Sequence, residues 1–214
     1  MRFSPAALCL LLIFAAATGK AQAQNSDFQT WNSIGVEKDL SSTVKLSLSE
    51  EVRLKDNATN FSTSFTDAGV TFKLMKNLQL GLFFRFIIKP SSLAYRPYVE
   101  ISYKLKTNAF TVEPRLRYQH QVEQNEIAKN YLRPKVTVSY KINKHWEPYV
   151  SGEWFYHMLY YKGNEFDEYR LSAGTGYDFD SHHSLKVFYL LDQEFNVDAA
   201  EQNHVVGASY EYDF

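Results

Sequence analysis

From residue 28 to the C-terminus, apolar and polar positions alternate with period two, and no window carries a helical stripe. Leu78, Leu80, Leu82, Phe84, Phe86 and Ile88 fall on one face of a strand, and Gln79, Arg85 and Lys89 on the other. Tyr95, Val99, Ile101 and Tyr103 oppose Arg96, Glu100, Ser102 and Lys104. Val112, Leu116 and Tyr118 oppose Glu113, Arg115, Arg117 and Gln119, and Val136, Val138 and Tyr140 oppose Arg133, Lys135, Thr137 and Ser139. Successive side chains of a strand point to opposite faces, so each segment has one apolar and one polar side. The alternation predicts strands over 28–38, 43–55, 62–75, 78–89, 94–106, 109–122, 130–143, 146–159, 167–180, 184–197 and 203–214. Tight polar turns alternate with more variable links, which describes an antiparallel meander closed into an up-and-down barrel.

The apolar face of such a barrel points inward in a soluble lipocalin-type fold and outward in a membrane-spanning one. Aromatic residues decide for the membrane. Phe72, Tyr103, Tyr140, Trp146 and Tyr177 sit near the tight-turn ends of their strands, and Tyr95, Tyr118 and Trp154 toward the other end. Aliphatic residues lie between them, as in the aromatic girdles of barrels spanning a bilayer. The polar face carries Arg85, Glu100, Glu113, Arg115, Arg117, Arg133, Lys135, Glu153, Arg170, Asp192, Glu194 and Glu211, expected to form an ion-pair network inside the lumen. The last strand alternates outward through Tyr210 and Tyr212 to a terminal Phe214, which resembles the signal read by the outer-membrane assembly machinery. All-β and transmembrane, with ten to twelve antiparallel strands, is the resulting expectation. Bacterial barrels normally have an even number of strands. Eleven segments are therefore awkward, and 28–38 is a candidate for a strand lying inside the lumen.

The N-terminus adds a route. Arg2, the uncharged apolar stretch 6–17 and Ala21-Gln22-Ala23 have the layout of a secretory signal peptide cut after Ala23. The barrel domain is then 24–214. Cleavage removes Arg2 and Lys20, leaving 21 basic against 24 acidic residues, a net charge of −3. The full chain of 214 residues has a net charge of −1, so nothing favours a nucleic-acid partner. The single cysteine, Cys9, excludes a disulfide framework or a cysteine metal site. No cofactor is expected, and the adjacent His182 and His183 point apart on a strand, so no metal site is either.

Trp31 with Ile34-Gly35-Val36, Glu50-Glu51-Val52-Arg53-Leu54 and Asp67-Ala68-Gly69-Val70 resemble an outer-membrane barrel family known as domain of unknown function 2490. So do Arg115-Leu116-Arg117-Tyr118-Gln119, Tyr131-Leu132-Arg133-Pro134-Lys135, Pro148-Tyr149-Val150-Ser151 and Tyr169-Arg170-Leu171. The resemblance implies a Gram-negative outer membrane and a barrel, and no activity.

Three roles follow for such an outer-membrane barrel. The first is structural, or a porin-like narrow conduit for small solutes through a salt-bridged lumen. The second is a lipid hydrolase or acyltransferase: His157 lies four residues from Glu153 on one face, half of a triad, with Ser151 and Ser172 as possible neighbours and no committed nucleophile. The third is an envelope interaction protein using outer loops such as 160–167. The expected partners are outer-membrane lipid and the assembly machinery, around a monomer.

Overall fold

A computed structural model describes residues 25–214. The expected signal peptide, with its cut after Ala23, lies outside the described residues. The described chain is one closed β-barrel built from β1 (Asn25–Asp39), β2 (Val44–Lys55), β3 (Asn60–Lys73), β4 (Leu78–Ile88), β5 (Leu93–Tyr103), β6 (Leu105–Thr107), β7 (Phe110–Glu123), β8 (Lys129–Tyr140), β9 (Trp146–Met158), β10 (Glu165–Asp178), β11 (His183–Glu194) and β12 (Glu201–Asp213). The short β6 continues β5 along β7, so the wall has eleven staves. The break between them lies beside Pro114 of β7. Proline has no N–H to give the ladder. Two other gaps in strand pairing fall at Pro97 in β5 and at Pro134 in β8, for the same reason.

All neighbours pair antiparallel except the closing pair. β1 runs parallel to β12, from Asn25 opposite Glu201 to Glu37 opposite Asp213. An odd number of alternating strands cannot close any other way. This corrects the expectation that 28–38 lies inside the lumen: the segment is a wall strand, bonded to β2 on its other side. The fully antiparallel reading is corrected with it.

Both ends are short-looped. Links at 56–59, 89–92, 124–128, 159–164 and 195–200 are barely longer than those at 40–43, 74–77, 108–109, 141–145 and 179–182. Side chains that bond their own backbone hold several of the turns. Asn143 Oδ1 accepts from the N–H groups of His145 (2.8 Å) and Trp146 (2.9 Å). Asp180 Oδ1 accepts from those of His182 and His183, both at 2.8 Å, and these donors hold its carboxyl below the ordinary carboxylate range.

The outward face carries Ile34, Leu48, Leu82, Phe84, Leu116 and Val150, all exposed. The inward face carries buried Asp67, Arg117, Arg133, Glu153 and Asp192. That polarity is the membrane-barrel one. Near the tight turns the outward aromatics meet each other: Phe110 with Tyr140 (4.8 Å between centroids), Trp146 with Tyr177 (4.7 Å) and Tyr212 with Phe214 (4.7 Å). Tyr95 meets Phe84 and Phe86 toward the other end. Tyr103, Tyr118, Phe72, Trp154 and Tyr210 stand on the same outward face by strand parity.

Two inward rings lie flat against the wall because glycines make room. The Phe83 ring covers Gly69 and Gly81, where an added Cβ would come within 2.0 and 2.3 Å of it. Phe188 covers Gly207 in the same way. An aromatic laid over a cross-strand glycine restores the packing that the glycine forgoes. Toward the variable links, Phe65, Ile87 and Ala94 form a small apolar cluster inside the barrel.

Candidate functional site

The middle of the lumen is a lattice of guanidinium groups laid on rings. Strand parity sends Arg53, Arg85, Arg117, Arg133 and Arg170 inward, and the same parity sends in Trp31, Phe65, Tyr98 and Phe155. Arg53 lies 3.4 Å above the Trp31 ring and 4.5 Å from that of Phe65. Arg117 lies over Tyr98 and Arg133 over Phe155, each at 4.0 Å, and Arg170 sits between Phe155 (4.7 Å) and Trp31 (5.0 Å). Guanidinium is weakly hydrated and planar, so it accepts such desolvated stacking where lysine would not.

Carboxylates tie the lattice together. Glu153 binds Arg115 (2.5 Å) and Arg133 (3.0 Å). Glu100 binds Arg117 (2.7 Å) and Arg115 (3.5 Å). Arg85 pairs with Asp67 (2.5 Å), which also accepts the Tyr98 hydroxyl at 2.8 Å. Arg53 pairs with Glu51 (2.6 Å), and Arg170 with Glu168 (2.7 Å) and Asp192 (3.1 Å). Unpaired burial of any one of these charges would cost several kcal/mol, so each arginine that has an acid is fixed by it.

Two inward cations have no such acid. Arg96 donates only to Gln121 Oε1, through Nε at 2.9 Å and through Nη2. Lys135 has no carboxylate oxygen within 4 Å among the described residues. Both line a central cavity of about 450 Å³. Its wall includes seven arginines and two lysines against three glutamates, Glu51, Glu153 and Glu168.

The other expected lumen residues stand elsewhere. Glu113 faces Lys104 at 3.7 Å. Glu194 accepts the Glu201 N–H at 3.1 Å across the β11–β12 link. Glu211 lines a second cavity, of about 250 Å³, with Ser47, Ser49 and Gly35. Glu51, Arg53, Asp67, Arg96 and Glu168 were missed as network members, although their parity was readable: Glu51 and Arg53 are two apart, as are Arg96, Tyr98 and Glu100.

The structure does not bring His157 to Glu153. His157 Nδ1 stands 3.2 Å from Asp167 Oδ2, which also accepts the Tyr131 hydroxyl at 2.9 Å. Its ring is stacked between Tyr131 (4.5 Å) and Tyr160 (4.2 Å). A bulge between Phe166 and Glu168 turns Asp167 inward, which four-residue spacing along β9 could not reveal. Ser151 and Ser172 bond each other at 2.8 Å, on the tight-turn side of Glu153. Of the outer-loop aromatics, Tyr160 is spent on His157 and Tyr161 is 71% exposed. His182 and His183 bind the Asp213 carbonyl and the Tyr210 hydroxyl. Among the described residues no cluster of three metal-binding side chains occurs.

Solved structures share the architecture at low identity. One is a bacterial polysaccharide outer membrane secretin, 14% identical, with a TM-score of 0.54 over 78% of this chain; the match spans 63% of that protein's length. Another is the NanC porin, 14% identical, with a TM-score of 0.54, covering 83% of this chain and 93% of the porin. At that identity the likeness establishes the barrel alone. A search of curated proteins finds no match. The profile of a protein family of unknown function, DUF2490, matches residues 28–203, and the chain belongs to that family.

Proposed function

We propose that the protein is an outer-membrane barrel that serves as a narrow conduit for small anionic solutes. The observation that carries this reading is the central cavity, where nine cationic side chains face three carboxylates. Six arginines are held by acids and rings, so they set the shape of the passage. Arg96 and Lys135 have no carboxylate within ion-pair distance among the described residues. A solute carrying a carboxylate or phosphate would complete their pairing, and a cation would meet net repulsion. The outward apolar face and the girdle support the membrane setting. The names of the two fold neighbours, a porin and a polysaccharide secretin, agree with that setting and do not identify the solute. The expected secretion through residues 1–23 is part of the same proposal.

Purified barrel in a planar lipid bilayer tests it. The wild type is expected to pass small anions in preference to cations, with the preference weakening as salt screens the charges. Arg96→Glu combined with Lys135→Glu is expected to abolish or reverse the preference while the unboiled protein still migrates differently from boiled protein on a gel. A folded barrel that never conducts under any voltage would refute the conduit and leave a structural role. A lipid enzyme draws less support, because His157 is stacked and bonded to Asp167, and no serine hydroxyl bonds to it among the described residues.

A further inference from the structure

The outward surface is not uniformly apolar. Across most of the barrel its mid-strand positions are Leu82, Val99, Leu116, Val136 and Val150. On β1, β2 and β3 they are Asn32, Glu50 and Thr66, joined by Thr30 and Ser64. Asn32 lies seven residues from either end of β1, and Glu50 is six from the start of β2 and five from its end. Asn32 and Glu50 therefore sit at the middles of strands whose outward face is the apolar belt, with Glu50 in the register row of Thr66 and Phe86.

Their bonding is incomplete. Glu50 takes hydroxyl hydrogens from Ser64 and, at 2.6 Å, from Thr66, and no cation stands within 4 Å of it among the described residues. Thr66 is exposed. Asn32 is exposed, and its carboxamide has no hydrogen-bond partner among the described residues. Hydrocarbon offers neither donor nor acceptor, so a carboxyl and a free amide at this depth call for a polar partner.

We infer that this patch is the contact between two copies of the barrel in the membrane. The inference rests on the membrane placement proposed above and not on conduction. The patch is self-complementary: an amide that donates and accepts stands diagonally across the β1–β2 pair from a carboxyl that accepts. A two-fold axis along the membrane normal lets each copy's Asn32 meet the other's Glu50 belt, and one surface serves both sides. Polar side chains between transmembrane elements act as such ties, and small residues beside them permit close approach. Both conditions hold here. A groove of about 330 Å³ lined by Leu46, Leu48, Ala68 and Phe214 lies on one flank. Another of about 620 Å³, lined by Thr30, Asn32, Ala173 and Ala208, lies on the other. A lipid headgroup is the poorer occupant, because the patch is at mid-height. A cationic partner protein is an outcome of the test.

The test is cysteine crosslinking of the full chain in its own outer membranes, with Cys9→Ala as background. Ile34→Cys, beside Glu50 on the neighbouring strand, is expected to yield a disulfide-linked pair of this chain on oxidation. Val138→Cys on the far wall is expected to yield none. Glu50→Leu with Asn32→Leu is expected to lower the paired fraction in mild detergent at least tenfold, while the folded, heat-modifiable band persists. Equal linkage at both walls, linkage of Ile34→Cys to a different protein, or a folded membrane barrel with no linkage would each overturn the pairing. A chain found free in the periplasm would overturn the membrane reading, and this one with it.

Discussion

Glu153 and Glu50 occupy the middles of their strands on opposite faces of one wall, and the two faces treat the same side chain differently. Inside, Glu153 is clamped by Arg115 and Arg133, with Arg133 itself stacked on Phe155. Outside, Glu50 has only the hydroxyls of Ser64 and Thr66. A carboxylate between guanidinium groups is a structural tie whose removal strands its neighbours. A carboxyl among hydroxyls strands little, and its use lies in what approaches from outside. The barrel thus keeps stability in the lumen and leaves the outer polar patch for contact.

That contrast can be broken most sharply by one neutral substitution on each face. Glu153→Gln leaves Arg133 without an acid and Arg115 with only Glu100 at 3.5 Å, and is expected to cost about 3–5 kcal/mol, read as a lower denaturant midpoint for loss of the folded gel band. Adding Arg133→Gln should recover part of that loss. Glu50→Gln keeps hydrogen-bonding capacity and is expected to cost below ~1 kcal/mol in the same assay. Equal losses would erase the distinction between the faces.

Glycines sharpen it at the next level. At Gly207, facing the lumen, a Cβ would lie 2.6 Å from the Trp31 carbonyl and 2.2 Å from the Phe188 ring. Gly207→Ala is expected to cost about 1–3 kcal/mol by spreading the β1–β12 seam. At Gly152, whose nearest neighbour would be the Trp154 ring at 3.1 Å, alanine should be close to neutral.

The smallest effect lies outside the apolar belt. Asp180 has its carboxyl held below the unfolded value by the His182 and His183 N–H groups. Its contribution is in place at neutral pH and is lost as pH falls through the carboxylate range. The difference between wild type and Asp180→Ala should therefore shrink on acidification, measured as the gap between their unfolding midpoints. A gap unchanged down to acid pH would remove the turn from the account.

Period-two alternation carried most of the wall into view. All eleven segments could be assigned to it, because a residue such as Leu116 between Arg115 and Arg117 has only one reading. What stayed open was the place of 28–38: an even strand count left it without a seat in the wall, and Trp31 turns inward while Asn32 and Thr30 turn outward, so its own pattern could not decide. Its parallel pairing with β12 has no local signature at all, since partners about 176 residues apart are chosen by closure. The lattice was half legible for a related reason. Parity named which arginines face in, but which acid each meets depends on register between strands. The missed partner of His157 was Asp167, displaced inward by a bulge. Aromatic rings on the polar face, Tyr98 and Phe155 among them, were the available sign that arginines would be stacked as well as paired.

A ring of odd membership cannot be coloured in two alternating shades, and one like-with-like junction must remain. Here that junction is fixed between β1 and β12. Stitching Asp213 to Asn25 would require a connector climbing the full height of the wall, so a circular permutant cut at any other link could not be made with a hairpin. This chain's strand order is therefore anchored by arithmetic as much as by chemistry, and gain or loss of a single stave would let every junction close antiparallel.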